Sequence, residues 1–224
     1  MIPKKIHYCW FGGKPLPHIY RRCIDTWRSN LPGFEIIRWD ESNTDINTPF
    51  LQKSLKSKQW AFVSDYIRMR VLYEHGGIYL DCDIELIRDI SPLLNDECFF
   101  GNEAKGRPNS SVIGCTKEHS LPERCMRIID DRHKRKQPYL IAPEVLLQAL
   151  STQPNTEKTT IYPEDYFYPY NPHDKLRPSE TLMFSDITKN TFAIHHWGKS
   201  WNQNIFSRAL KKLERSLRRD KIES

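Results

Sequence analysis

The chain has 224 residues, 38% of them hydrophobic and 12% aromatic, which suits one substantial core better than two domains and argues against a disordered chain. Its formal charge is +6, yet residues 205–224 hold seven basic side chains against three acidic, a net of +4 that leaves only +2 for the rest. Basicity confined to a tail excludes a nucleic-acid-binding face spread over the domain.

In chain order, Lys4 to Trp10 has the pattern of a first strand, closed by a turn at Gly12-Gly13 with Pro15 and Pro17. Ile24 and Trp27 recur at helical spacing from Ile19 or Tyr20 until Asn30, where Leu31-Pro32-Gly33 breaks the helix; Phe34 to Trp39 is a second strand. Strand, helix, strand is the start of an open α/β sheet. After a polar loop over Asp40 to Pro49, helices are expected from Phe50 to Ser57 and from about Gln59 to His75. The longer one sets Val63, Ile67 and Val71 toward the core and Asp65, Arg68 and Leu72 on another face, and Gly76-Gly77 supplies its left-handed stop. Ile78 to Glu85 then reads as one strand, with Ile78, Leu80, Cys82 and Ile84 alternating against Tyr79, Asp81 and Asp83. Further on, strands are expected near Cys98 to Gly101 and Ser111 to Gly114, and helices near Leu121 to Arg132 and Pro143 to Leu150. A last strand spans Thr191 to Trp197, and an amphipathic basic helix spans Ile205 to Ile222.

The six cysteines, Cys9, Cys23, Cys82, Cys98, Cys115 and Cys125, contain no C-x-x-C pair, which speaks for reduced thiols over a zinc knuckle or redox motif. No apolar run near Met1 is long enough for a signal peptide or membrane span, so cytoplasmic residence is expected and the Asn109-Ser110-Ser111 triplet says nothing about glycosylation.

A D-x-D tripeptide alone is weak evidence, because carboxylates are common at strand ends, and a solvated acidic loop is its plain alternative. Here Asp81 and Asp83 follow a helix, a Gly-Gly turn and an apolar strand, so their carboxylates are expected to converge at the sheet edge, where open α/β folds place ligands. Hard oxygen donors favour Mg²⁺ or Mn²⁺, which keep positions open for phosphate oxygens. Asp65 and Arg68 suit sugar hydroxyls and phosphate respectively, although an i, i+3 surface ion pair explains them equally. The run from Ala193 to Trp201 offers His195 or His196 as a third metal ligand and Lys199 as a charge for a departing diphosphate. Trp10, beside glycines, is a stacking surface for a nucleobase or a core residue. Asn109 and Ser110 are candidates for a sugar pocket, and Glu103 and Glu144 for acceptor contact. A phosphatase built on D-x-D wants a threonine two positions after the second aspartate, where this chain has Glu85.

Four blocks carry a family resemblance: Ile2-Pro3-Lys4-Lys5-Ile6-His7 with Trp10-Phe11-Gly12-Gly13, Ser64-Asp65-Tyr66-Ile67-Arg68, Tyr73 through Asp83, and His195-His196-Trp197. Together they resemble glycosyltransferase family 32, the sugar-binding-region DXD family of yeast initiating α-1,6-mannosyltransferases, α-1,4-galactosyltransferases and bacterial capsule and lipopolysaccharide enzymes. More distantly they resemble the catalytic domains of large clostridial glucosylating toxins. The resemblance implies a GT-A fold, a Rossmann-like open mixed sheet flanked by helices, and retention of anomeric configuration. It implies Mn²⁺ or Mg²⁺ on Asp81, Asp83 and His195, with His196 as the fallback ligand. It further implies Trp10 stacking on the base, Ser64 and Tyr79 lining the nucleotide site, and Asp65 and Arg68 gripping the donor sugar. Asn109 and Trp201 join the expected donor-binding residues, and Lys199 joins Asp65, Arg68, Asp81 and Asp83 in the expected catalytic group.

The activity expected is retaining, metal-dependent transfer of a hexose or N-acetylhexosamine from a nucleotide-sugar, UDP favoured, to a glycan or lipid-linked acceptor in surface polysaccharide biosynthesis. A GDP-mannose donor is the alternative within the class, and a non-catalytic module for anionic ligands is the alternative outside it. Residues 1–204 form the expected catalytic domain. Residues 205–224 form a basic helix whose candidate partner is an anionic membrane surface at the inner face of the cell membrane, each Lys or Arg contributing about 1 kcal/mol. No nucleic-acid partner is expected.

Overall fold

The structure, a computed structural model, describes residues 1–152, 157–174, 176, 179 and 181–198. The expected terminal helix, with Lys199 and Trp201, lies outside the described residues. Seven elements build the first half: β1 (Lys5–Cys9), α1 (His18–Asn30), β2 (Glu35–Trp39), α2 (Pro49–Lys56), α3 (Trp60–His75), β3 (Gly77–Leu80) and β4 (Ile84–Leu86). The rest adds β5 (Cys98–Ala104), β6 (Arg107–Cys115), α4 (Ser120–Lys134), α5 (Ala142–Leu150), β7 (Thr159–Tyr162) and β8 (Ala193–His195).

Six strands form one mixed sheet in the order β2-β1-β3-β6-β5-β7. The β1–β2, β1–β3 and β5–β7 pairs are parallel, and β6 runs antiparallel to both β3 and β5. Alternation along each strand divides the core between the two faces. Tyr79, Phe100, Ile113 and Cys115 pack with α2, α3, α4 and α5, while Ile78, Leu80, Phe99 and Val112 pack with α1, β4 and β8. Helix starts follow local chemistry: Pro49 opens α2 while the Thr48 hydroxyl accepts from Leu51 N–H, and His119 Nδ1 accepts from Leu121 N–H at the head of α4.

Two expectations need correction here. α3 was expected to turn Val63, Ile67 and Val71 toward the core with Asp65, Arg68 and Leu72 on another face, but Val63, Tyr66, Ile67, Arg68, Met69, Val71 and Leu72 are all buried, because the helix is walled by the sheet, α2 and α4. Such a helix is apolar nearly all round, and truncating Ile67 to Ala in this packing costs about 2–5 kcal/mol. The expected single strand over Ile78 to Glu85 is in fact two. A turn at Asp81–Asp83, with Ile84 N–H donating to Asp81 C=O at 3.0 Å, separates β3 from β4. β4 leaves the main sheet and pairs antiparallel with β8.

The reason is non-local. On its free side β4 meets α1: Trp27 Nε1–H donates to Ile84 C=O at 2.7 Å, Asn30 Nδ2–H to Leu86 C=O at 3.0 Å, and Leu86 N–H donates to the Thr26 hydroxyl at 3.0 Å. These bonds satisfy an edge that would otherwise stay unpaired in the core. Upstream, Gly76 and Gly77 hold φ of +62° and +106°, and a Cβ at either would sit 2.7 Å from Lys117 N or 2.8 Å from Lys5 O. Only glycine makes both the left-handed turn and the close approach, so α3 hands the chain directly to β3.

Candidate active site

Parallel pairing of β1 and β3 brings Cys9 and Trp10 beside Asp81 and Cys82, where the Cys82 thiol donates to Cys9 C=O at 3.4 Å. β6 supplies the other side, with Asp81 N–H donating to Ser111 C=O at 2.9 Å. The carboxylates of Asp81 and Asp83 therefore converge through a turn, not through alternation along a strand. β8 completes the cluster: Ile84 pairs with His195, and His196 N–H donates to Asp83 C=O at 3.0 Å. One ligand atom from each of Asp81, Asp83 and His195 falls within 4.8 Å of the other two. His196 turns the other way, its Nε2 2.7 Å from Glu85 Oε2.

Electrostatics hold this group in place. His195 Nε2 lies 3.3 Å from Asp83 Oδ2, and Gly198 N–H donates to the same oxygen at 2.7 Å. Burial pushes the Asp83 pKa up, but the His195 imidazole and the Gly198 N–H outweigh it and hold the carboxyl below its ordinary range. Burial likewise disfavours the charged imidazole, yet the Asp83 carboxylate raises His195 above its usual value. His195 Nδ1 is buried and has no hydrogen-bond partner among the described residues. Two carboxylates and an imidazole with an unused nitrogen are a donor set that suits a hard divalent cation.

Arg68 is the hub of the second half of the cluster. Its Nη2 lies 2.9 Å from Asp65 Oδ1 and 3.2 Å from Asp81 Oδ1, and Nη1–H donates to Ser110 C=O at 2.9 Å and Ser110 Oγ at 3.1 Å. The guanidinium also stacks 4.6 Å over the Tyr79 ring, whose hydroxyl donates to Asp81 Oδ1 at 3.0 Å. The surface ion pair allowed by the sequence is thus a buried network, and Arg68 and Tyr79 face the carboxylates from beneath with almost no exposure of their own. Burial raises the Asp65 pKa to about 6, against the lowering effect of Arg68 and with a further push from Asp81.

Ser64 is half-buried on α3 next to Asp65. Trp10 is half-buried, donates through Nε1 to Lys14 C=O at 2.6 Å and meets Tyr20 edge-on at 5.7 Å. Asn109 is buried and already bonded, its Nδ2 to Glu103 Oε2 and its Oδ1 to Ser111 N–H at 2.7 Å. One acceptor candidate is corrected. Glu103 is buried between Asn109 and Arg107, so its carboxylate is occupied, whereas Glu144 is exposed at the head of α5, where Oε2 accepts from Ile141 N–H. Sequence reasoning gave Gly198 no role. Its backbone passes so near Tyr20 that a Cβ would lie 2.4 Å from the phenol oxygen, and the preceding Trp197 takes a left-handed φ of +53°, a conformation costly for a bulky residue and concentrated at functional sites.

Residues 17–100 match the family described as "Glycosyltransferase sugar-binding region containing DXD motif". That match covers 84 of the chain's 224 residues. The chain is 24% identical over 213 residues to inositol phosphoceramide mannosyltransferase 1 of Schizosaccharomyces pombe, covering 90% of this chain and 62% of that protein. It is 24% identical over 163 residues to lactosylceramide 4-alpha-galactosyltransferase of Pan troglodytes, covering 66% and 45%. It thus spans about half the length of these relatives. Among solved structures, PaToxG glycosyltransferase superposes with a TM-score of 0.56 at 19% identity, over 66% of this chain and 69% of that one. The expected GT-A fold is the fold observed, a mixed sheet flanked by helices.

The chain has a second group of metal-capable side chains at the far end of β6, where Cys98, Cys115 and His119 cluster in the core. There His119 Nδ1 already accepts from Leu121 N–H, which fixes the proton on Nε2 and takes both nitrogens out of ligand duty. No helix among the described residues is long and apolar enough to cross a membrane.

Proposed function

We propose that this enzyme transfers a sugar, with retention of anomeric configuration, from a nucleotide-sugar to a glycan or lipid-linked acceptor, using Mn²⁺ or Mg²⁺ held by Asp81, Asp83 and His195. The observation that carries the proposal is the convergence of those three side chains, one ligand atom from each lying within 4.8 Å of the other two. When bound, the ion supplies positive charge to the leaving diphosphate. The chain's own residues do the rest. Asp65, on the rim of the cluster, accepts hydrogen bonds from donor-sugar hydroxyls. Arg68 and Tyr79 orient Asp65 and Asp81 from below. Trp10, at the end of β1, offers its indole to the base. Developing positive charge on the sugar then faces the carboxylates of Asp65 and Asp81, an electrostatic stabilisation that needs no covalent nucleophile.

The donor is read as a UDP-sugar, with GDP-mannose as the second candidate because one relative is named a mannosyltransferase and another a galactosyltransferase. Both names carry ceramide-linked acceptors, which favours a lipid-linked saccharide as acceptor here, within surface polysaccharide assembly at the cytoplasmic face of a membrane. A thermal-shift panel of UDP- and GDP-sugars with and without Mn²⁺ tests the reading, since ligand binding raises the melting point by mass action. The expected result is a shift with one nucleotide class that requires Mn²⁺ and disappears in Asp83→Asn, along with donor hydrolysis. A metal-independent shift, or full activity in Asp83→Asn, would refute it.

A further inference from the structure

Asp65 also lines a hollow beside α3, with Phe62, Met69, Tyr139, Leu140, Ala142 and Val145. Its wall is built in advance. The Tyr139 ring packs edge-on against Phe50 at 4.9 Å and Phe62 at 5.3 Å, while its hydroxyl is taken up 2.9 Å from His133 Nδ1. Arg132, the other charged residue of the lining, spends Nε–H and Nη2–H on Pro138 C=O at 2.9 and 2.8 Å, which pins the turn bearing Tyr139 and Leu140 and directs its charge away. Its free volume is about 10 Å³, room for one water or one methyl. An apolar floor gives a water too few hydrogen-bonding partners.

Asp65 thus joins two environments: Oδ1 is in the ionic cluster through Arg68, which also reaches Asp81, and the carboxylate borders an apolar, methyl-sized hollow. We infer that the donor sugar carries a methyl-terminated substituent, an acetamido group, whose methyl enters this hollow while Asp65 accepts from the neighbouring hydroxyl. The inference rests on the proposed donor site and deepens it by naming the sugar class. A plain hexose would leave the hollow empty or force a hydroxyl against Phe62 and Leu140, where it has no partner, and a pocket of this kind separates sugars differing by one small apolar group by about tenfold or more.

The test is titration calorimetry of the full chain in Mn²⁺ with donors matched in base and differing in the substituent. The pairs are UDP-N-acetylglucosamine with UDP-glucose, and UDP-N-acetylgalactosamine with UDP-galactose; GDP-fucose with GDP-mannose serves as an arm for a 6-deoxy methyl. One acetamido sugar is expected to bind about tenfold more tightly than its hydroxyl partner. Ala142→Leu, which fills the hollow from the head of α5, is expected to erase that preference while hydroxyl sugars bind as before. Equal affinities within each UDP pair, a preference confined to the 6-deoxy arm, or a preference that survives in Ala142→Leu overturns the inference and leaves the enzyme reading standing. Failure of every donor to bind with Mn²⁺ overturns both.

Discussion

Removing the Arg68 guanidinium tests how the carboxylates coexist before any ion arrives. Arg68→Met keeps a chain of similar length but withdraws the charge that lies 2.9 Å from Asp65 and 3.2 Å from Asp81. At an effective dielectric of about 20, each contact is worth about 5–6 kcal/mol gross. Desolvation of the buried guanidinium offsets part of that, so the expected net loss is about 3–5 kcal/mol, the range for breaking a buried pair from one side. The pH dependence has a definite sign. Asp65 is already raised to about 6 in the folded protein, and Arg68 is the largest influence holding it down. Without Arg68 it rises further, and a carboxyl raised on folding contributes stability at low pH that is lost as pH climbs through the folded value. Urea unfolding in EDTA should therefore show a deficit that is smaller near about pH 5 than near about pH 8. Arg68→Lys should fall between, since a point charge cannot span both carboxylates, and Asp65→Asn in the Met background should recover part of the loss. A deficit below about 1 kcal/mol, as for an exposed pair, or one independent of pH, would sink the assignment of Arg68 as the cluster's internal counter-ion.

Metal affinity should depend on His195. A ligand imidazole must be unprotonated, and Asp83 holds the His195 proton on above the ordinary histidine range. Mn²⁺ affinity is then expected to fall about tenfold per pH unit below that raised pKa. Calorimetry in buffers of differing ionisation enthalpy should register release of a proton, and no proton release at neutral pH would contradict the assignment. Gly198→Ala should push the strand off Tyr20 and weaken the N–H bond to Asp83, costing about 1–3 kcal/mol of stability as in other overpacked sites. Tyr20→Phe, which removes the oxygen that a Cβ would meet at 2.4 Å, should restore part of it; a double variant no more stable than the single places the strain elsewhere.

Much of the sheet was legible because its signals are local. The first strand, α1 and its Leu31-Pro32-Gly33 stop, the second strand, α2 and α3 with the Gly76-Gly77 turn all fall within a residue or two of expectation. β5 and β6 ran longer than expected, since the Lys105-Gly106 turn joins them as a hairpin in which Ala104 faces Arg107. β7 went unread although Thr159-Thr160-Ile161-Tyr162 is β-branched and aromatic, because its pairing with β5 comes from far along the chain. Within the site, the convergence of Asp81, Asp83 and His195 was anticipated, but the means was not. Alternating hydrophobicity through Cys82 and Ile84 mimics a continuous strand, and only α1 and β8 pull Ile84 out of the sheet. Spacing likewise showed that Asp65 and Arg68 share a face, but not that Ser110 and Asp81 would close over them.

Those outside contacts explain why the apo cluster does not fly apart. Asp65, Asp81 and Asp83 gather three carboxylates, and the chain answers with one permanent cation, Arg68, and one conditional cation, His195. Asp83 is held ionised largely by His195, and His195 is held protonated by Asp83, so each keeps the other charged in the absence of metal. At the proposed metal site a divalent ion and a proton would compete for the same imidazole, and exchanging one for the other would add a single positive charge to the cluster. On that proposal the charge would be available to an arriving diphosphate only after the proton has left. Donor affinity and metal affinity should for that reason lose strength together on acidification, and a donor that binds equally well below and above the His195 transition would show that its phosphates are held somewhere else.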